Sequence, residues 1–256
     1  MTQPTRKKSG TTPKTSNTTK THHTKKDIAD MLDVFYGMKL DEKQKEFRDA
    51  IWSTDYDIIF CNAKSGTGKT TLAIGMANLL IKSGEYTKLI YVVSPTQETK
   101  QGFLPGSLEE KTAVYFDPVI QALEEIGEDP QQAIVQFNPD DKLGRAWISC
   151  VPHTFMRGVN FKGSDGKGVI VIIDEMQNMY LEDAKKVLTR CHDSAKTICI
   201  GHEGQNDLYK NPRNSGFVPY INHFKDQPRA KVCELTTNYR GWVSTHADNL
   251  LIGKDK

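Results

Sequence analysis

The first twenty-six residues contain no aspartate or glutamate and almost nothing apolar. Without an apolar run, the segment has no hydrophobic region of a secretory signal. It also lacks the amphipathic period of an organelle transit peptide and has a single arginine, Arg6. A segment with so little to bury is expected to be disordered. Nowhere does the chain hold the roughly eighteen consecutive apolar residues that span a membrane, so no membrane partner is expected. The five cysteines, Cys61, Cys150, Cys191, Cys199 and Cys233, are odd in number and form no Cys-x-x-Cys pair. That spacing argues against a zinc site and for reduced, buried thiols in a cytosolic compartment. No segment repeats, which excludes a solenoid.

Positive charge is unevenly placed. Arg6, Lys7, Lys8, Lys14, Lys20, Lys25 and Lys26 give the first twenty-six residues seven positive charges against none negative. Residues 27–256 carry 27 basic and 32 acidic side chains, a balance of −5 beneath the overall formal charge of +2. A disordered arm of one sign suits nucleic-acid phosphates. A plain solvating tail fits the same composition. The chain of 256 residues has room for one sizeable α/β domain behind that tail. The expected division is a disordered basic tail over 1–26 and a single domain over 27–256.

What the sequence does have is Ala63-Lys64-Ser65-Gly66-Thr67-Gly68-Lys69-Thr70, followed by Thr71. An apolar run at 58–61 precedes it and a helix-like stretch follows. Strand, glycine loop and helix form the context that a phosphate-binding P-loop requires. A triphosphate needs backbone N–H groups turned inward around it and a helix N-terminus aimed at it. Gly66 and Gly68 let the backbone approach without a Cβ in the way. Lys69 is placed for the β- and γ-phosphates, and the Thr70 hydroxyl for Mg²⁺. The pattern departs at Ala63, where glycine is usual.

Around this loop the chain alternates between two kinds of segment. Apolar, strand-like runs fall at 58–61, 89–93, 147–151, 169–173, 197–200 and 231–235. Helical spacing predicts helices over 28–35, 42–52, 70–82, 107–126, 181–191 and 242–251, the second with Asp41 as its N-cap. Several runs are continuously apolar, as strands covered on both faces are. The alternation predicts a mostly parallel sheet flanked by helices, an α/β P-loop NTPase core.

The run at 169–173 ends in Asp174-Glu175. Carboxylates at the C-terminal end of a parallel strand face the ligand crevice. Asp174 is expected to hold Mg²⁺ with Thr70, and Glu175 to act as general base on the attacking water. Gln205, shortly after the run at 197–200, is placed to sense the γ-phosphate or orient that water. Arg240, after the run at 231–235, is placed to offset transition-state charge, in its own chain or a neighbour's.

With these residues in place the chain resembles the PhoH family of P-loop ATPases, relatives of superfamily 1 helicases. The resemblance runs from about residue 44 to about residue 251. It rests on Gly102-Phe103-Leu104-Pro105-Gly106, Leu108-Glu109-Glu110-Lys111, Phe155-Met156-Arg157-Gly158, Asp174-Glu175-Met176-Gln177-Asn178, Leu188-Thr189-Arg190, Gly201 with Gln205, Asp207-Leu208 and Ser215-Gly216. Asn238-Tyr239-Arg240 is similar to a superfamily 1 helicase motif. The resemblance implies a RecA-like core, ATP and Mg²⁺ as cofactors, and hydrolysis of ATP. It implies an RNA-linked role, with RNA ahead of DNA, and a homo-oligomer or ring. It also implies the cytoplasm of a bacterial or phage-infected cell. It makes Gln44 an adenine-contacting residue and supports Gln205 and Arg240 as catalytic. Ala63, Ser94 and His202 depart from the family pattern, which bears on the rate of hydrolysis more than on nucleotide binding. The stretch ahead of the P-loop is too short for a PIN-like nuclease, so a fused ribonuclease is not expected.

Two functions from different classes follow. The first is an ATPase that binds or remodels RNA or single-stranded nucleic acid. The second is a nucleotide-dependent switch or scaffold that binds a protein partner with little turnover. Stimulation of hydrolysis by nucleic acid separates them.

Overall fold

In the computed structural model, residues 24–94, 116–138, 140–141, 144–155, 160–205, 208 and 214–248 are described. Their β-branched, apolar runs pair into one sheet of six strands. These are β1 (Ile58–Ala63), β2 (Tyr86–Val93), β3 (Ile148–Pro152), β4 (Gly168–Ile173), β5 (Ala195–Gly201) and β6 (Ala230–Leu235). The order is β3-β2-β4-β5-β1-β6, and every neighbouring pair is parallel. Five of the six strands predicted from the sequence lie inside these and are extended by them. The sixth, expected at 147–151, sits one residue later as β3.

Both faces of the sheet are covered, which explains the continuous apolar runs. Along β1, Ile59, Cys61 and Ala63 point into one core and Ile58 and Phe60 into the other. Along β4, Ile170 and Ile172 take the first face, while Val169, Val171 and Ile173 take the second. The first face is packed by α1 (Lys25–Val34), α2 (Glu42–Trp52), α3 (Lys69–Lys82) and α4 (Asp117–Glu125), with the single turn α5 (Pro130–Ala133) beyond. The second is packed by α6 (Leu181–Leu188) and α7 (Phe217–Phe224). A short helix α8 (Trp242–Asp248) follows β6. This is a RecA-like α/β core.

Several boundaries differ from expectation. The basic tail is expected to end at residue 26, but α1 begins at Lys25. Thr24 caps it through a reciprocal capping box with Asp27, so Lys25 and Lys26 belong to a helix. That helix ends at Val34, and Phe35–Gly37 continue as a 3-10 turn with Phe35 and Tyr36 at positive φ. Helix α6 stops at Leu188 rather than 191. The part of the 107–126 helix before residue 116 lies outside the described residues, as do Gly102–Lys111 and residues 156–158 of the family motifs. Helix α2 starts and caps as expected, with Asp41 as N-cap.

The sheet order fixes the geometry of the site. Strand β5 stands between β1, which carries the P-loop, and β4, which carries the carboxylates. At about 4.8 Å per strand the two are about 10 Å apart. Side chains from the start of α3 must cover that gap.

Candidate functional site

Strand β1 ends at Ala63, whose methyl is buried in the first core. The alanine that departs from the P-loop pattern therefore lies in a strand, where a Cβ is welcome. The loop proper turns on Gly66 and Gly68, with φ of 77° and 78°, a left-handed conformation that glycine adopts without penalty. The Thr67 hydroxyl donates to the Lys64 carbonyl at 3.0 Å, and the Gln44 side-chain amide donates to the Thr67 carbonyl at 3.0 Å. Lys69 opens α3 and is 9% exposed.

Asp174 follows the last residue of β4 and is 3% exposed. Its carboxylate accepts from the Thr70 hydroxyl at 3.0 Å, from the Glu175 N–H at 2.7 Å and from the Tyr91 hydroxyl. Burial holds its carboxyl above the usual range, and the charge of Glu175 adds to this. Lys69 and the hydrogen-bond donors pull the other way. Glu175 has φ 50° and ψ 41°, a region rare for a residue with a Cβ. In that conformation its carboxylate lies 3.5 Å from the Lys69 ammonium and accepts from the Gln177 amide. Gln177 is buried, and its carbonyl oxygen accepts the His202 N–H at 3.1 Å. The ends of β4 and β5 are thereby tied behind the general-base candidate.

A third arm comes from beyond β6. The Tyr239 N–H donates to the Gly66 carbonyl at 2.8 Å, and the Arg240 guanidinium donates to the Ser65 hydroxyl at 2.6 Å. The Tyr239 hydroxyl donates to Asp41 at 2.8 Å, while the other Asp41 oxygen accepts the Gln44 N–H at 2.8 Å. The N-cap of α2, the P-loop and the 238–240 segment thus form one hydrogen-bonded ring.

These parts enclose a cleft of about 530 Å³. Of the predicted residues, Gln44, Ser65, Gly66, Gly68, Lys69, Thr70, Thr71, Asp174, Glu175 and Arg240 line it. Ala63, Lys64 and Thr67 do not line it; they shape the loop from behind. Gln44 is in the wall, but its side-chain amide group is already engaged by Thr67 and by the Asp41 N–H. Its first visible task is to hold the loop. Gln205 is exposed and outside the lining. Its N–H closes a turn onto the His202 carbonyl at 3.2 Å. Arg6, Lys7, Lys8, Lys14 and Lys20 lie outside the described residues.

The donors fit a magnesium ion held with a nucleotide. Among the described residues no group of three or more His, Cys, Asp or Glu converges as a metal cage. Mg²⁺ does not require one, since it takes one or two protein oxygens and completes its shell with phosphates and water. Asp174, a buried carboxylate beside the Thr70 hydroxyl, supplies such a pair.

Sequence reasoning missed Tyr91, Gln177 as a tether, and the Asp41–Tyr239 link. Tyr91 sits in an apolar strand and reads as core. Only the adjacency of β2 and β4 brings its hydroxyl to Asp174.

A parallel sheet with this loop after one strand and Asp-Glu after another defines a P-loop NTPase. The protein-family model described as PhoH-like protein matches residues 38–240, and the chain belongs to that family. A PhoH-like protein of Synechocystis is 33% identical over 195 residues, which are 75% of this chain and 55% of that one. A PhoH-like protein of Bacillus subtilis is 34% identical over 157 residues, 60% and 45% of the two chains. The protein PhoH of Escherichia coli K12 is 30% identical over 190 residues, 72% and 49%. The chain spans about half the length of these relatives. A solved large terminase from a thermophilic bacteriophage, in complex with ADP, aligns with TM-score 0.47 and 15% identity over 84% of this chain and 48% of that one. At that level it adds nothing to the fold described above.

Proposed function

We propose that this protein binds ATP with Mg²⁺ in the cleft and hydrolyses it, and that RNA or another single-stranded nucleic acid is its partner. One observation carries the reading of the cleft. Lys69, Thr70, Asp174, Glu175 and Arg240, from three separate parts of the chain, line the same cleft over a P-loop. Lys69 holds phosphate oxygens, and the P-loop N–H groups with the N-terminus of α3 offset their charge. Thr70 and Asp174 would hold the metal, which would supply Lewis-acid polarisation of the phosphoryl group. Glu175 takes a proton from water, and Arg240 meets charge developing on the transferred phosphoryl. Gln205 joins them only if its turn swings inward when nucleotide binds.

The nucleic-acid part rests on the family and on the seven cations of residues 1–26 against an acidic remainder. A cytoplasmic setting accompanies it: the relatives are bacterial, and among the described residues no helix is long and apolar enough to cross a membrane.

The test is steady-state ATP turnover of wild type and Lys69→Ala, with and without single-stranded RNA. Wild type turns over ATP, RNA accelerates it, and Lys69→Ala is inactive with an unchanged thermal melt. Near-normal turnover in Lys69→Ala overturns the P-loop assignment. Turnover that is low and indifferent to RNA favours the switch that binds a protein.

A further inference from the structure

The cleft lining also includes residues that play no part in that reading. One wall is Met38 and Leu40, half-buried aliphatic side chains ahead of α2. The other is the face of α4, with Gln121 and Glu125 four residues apart on one side and both lining the cleft. Glu125 accepts a hydrogen bond from the Thr71 hydroxyl at 2.6 Å. Thr71 directly follows Thr70, so this carboxylate stands one residue from the metal and phosphate end of the loop.

Glu125 is exposed, so solvent screens its charge, yet a carboxylate there still disfavours a polyanion. It repels a bound triphosphate unless the same ligand offers it a hydrogen-bond donor. ATP has few: the two ribose hydroxyls and the 6-amino group of the base. The β- and γ-phosphates belong with Lys69, Asp174, Glu175 and Arg240. The nucleoside therefore leaves the cradle past Thr71, and the ribose, bonded to the α-phosphate, is the first part to pass Glu125. The base would then come to Met38 and Leu40, which also line the cleft.

On the ATP reading of the cleft, we propose that Glu125 is a specificity residue that accepts a hydrogen bond from the ribose hydroxyls and so selects ribonucleotides over their deoxygenated analogues. Thr71 fixes the carboxylate in place through its hydroxyl. The Met38–Leu40 wall supplies apolar contact to the base without reading it.

The experiment measures equilibrium binding of ATP, 2′,3′-dideoxyATP and inosine triphosphate, each with Mg²⁺, to wild type, Glu125→Ala and Glu125→Gln. A hydrogen bond to a charged acceptor corresponds to roughly a ten- to hundred-fold preference of wild type for ATP over 2′,3′-dideoxyATP. In Glu125→Ala that preference collapses, chiefly because the dideoxy analogue binds more tightly once the repelling charge is gone. Glu125→Gln keeps the side-chain length and an acceptor for Thr71, and its preference is smaller than that of wild type. The preference for ATP over inosine triphosphate stays the same in all three. A ribose preference that survives in Glu125→Ala overturns the proposal. So does equal weakening of all three nucleotides, which marks a structural role through Thr71. Collapse of the inosine ratio instead assigns the carboxylate to the base and also overturns it. If wild type binds none of the three, the ATP reading itself has failed, a result distinct from binding without ribose selection.

Discussion

Glu175 carries a left-handed backbone conformation that costs a non-glycine residue about 1–3 kcal/mol. The Lys69 ammonium and the Gln177 amide are the groups that hold its carboxylate. Glu175→Gln keeps the shape and removes the proposed base. Turnover is expected to fall by roughly 10²–10⁴-fold while ATP affinity stays within a few-fold of wild type; affinity that collapses with rate reassigns Glu175 to the metal. Asp174 differs, because it is buried and its cost is electrostatic. A carboxyl held above its unfolded value favours the fold while protonated, and that advantage is lost as pH rises through the raised value. Asp174→Asn is therefore expected to leave the melting temperature of the nucleotide-free protein unchanged in acid. Its melting temperature should exceed that of wild type increasingly as pH climbs to neutral, while Mg²⁺-dependent ATP binding is lost. Thermal melts across that range, with and without Mg²⁺ and ATP, check both halves.

Between elements, the contact that matters most is the seat of residues 238–240 on the P-loop. A Cβ at Gly66 would meet the Asn238 Oδ1 at 2.6 Å and the Arg240 Cγ at 2.9 Å, on a backbone of φ +77°. Gly66→Ala is expected to force this segment off the loop and weaken ATP binding by at least about ten-fold, with a loss of about 1–2 kcal/mol of stability from the backbone alone. Calorimetric ATP titration and urea unfolding measure the two. Unchanged binding would show that the segment is a bystander to the loop. The sequence made some of this visible. Six strands, α2 with its Asp41 cap, and the loop between β1 and α3 are marked by local patterns: continuous apolar runs, an N-cap aspartate, glycines at fixed spacing. Helix α7 is missed although its period is present: Phe217, Tyr220, Ile221 and Phe224 stand at i, i+3, i+4 and i+7 and face the second core. Pro219 makes the stretch read as a break, but it falls in the first turn, where proline is tolerated. Tyr91 and Gln177 are illegible as site residues for a different reason. The Tyr91–Asp174 and Gln177–His202 links are set by which strands are neighbours, and sheet order is not written in any one segment. Gln205 is the opposite case: its position after β5 is readable, but the direction of a turn is not.

For the molecule as a whole, the question is whether one chain makes a working site. An arginine that meets transition-state charge can come from the same chain or from a second body across the nucleotide. Here Arg240 reaches Ser65 of its own chain, from a segment that also grips Gly66 and Asp41 of that chain. A group already in place in cis does not require a neighbour to deliver it, whether or not copies assemble into a ring. Arg240→Ala is expected to lower turnover by about 10³–10⁵-fold with a smaller loss of ATP affinity. Mixing Arg240→Ala with Lys69→Ala then decides the geometry. If each chain completes its own cleft, both proteins lack an intact site and the mixture stays inactive at every ratio. Turnover per chain of wild type should also be flat on dilution. Recovery of activity in the mixture, rising with total protein concentration, would mean that Arg240 of one subunit serves the P-loop of the next. The cis seat on Ser65 would then be a resting position that assembly exchanges.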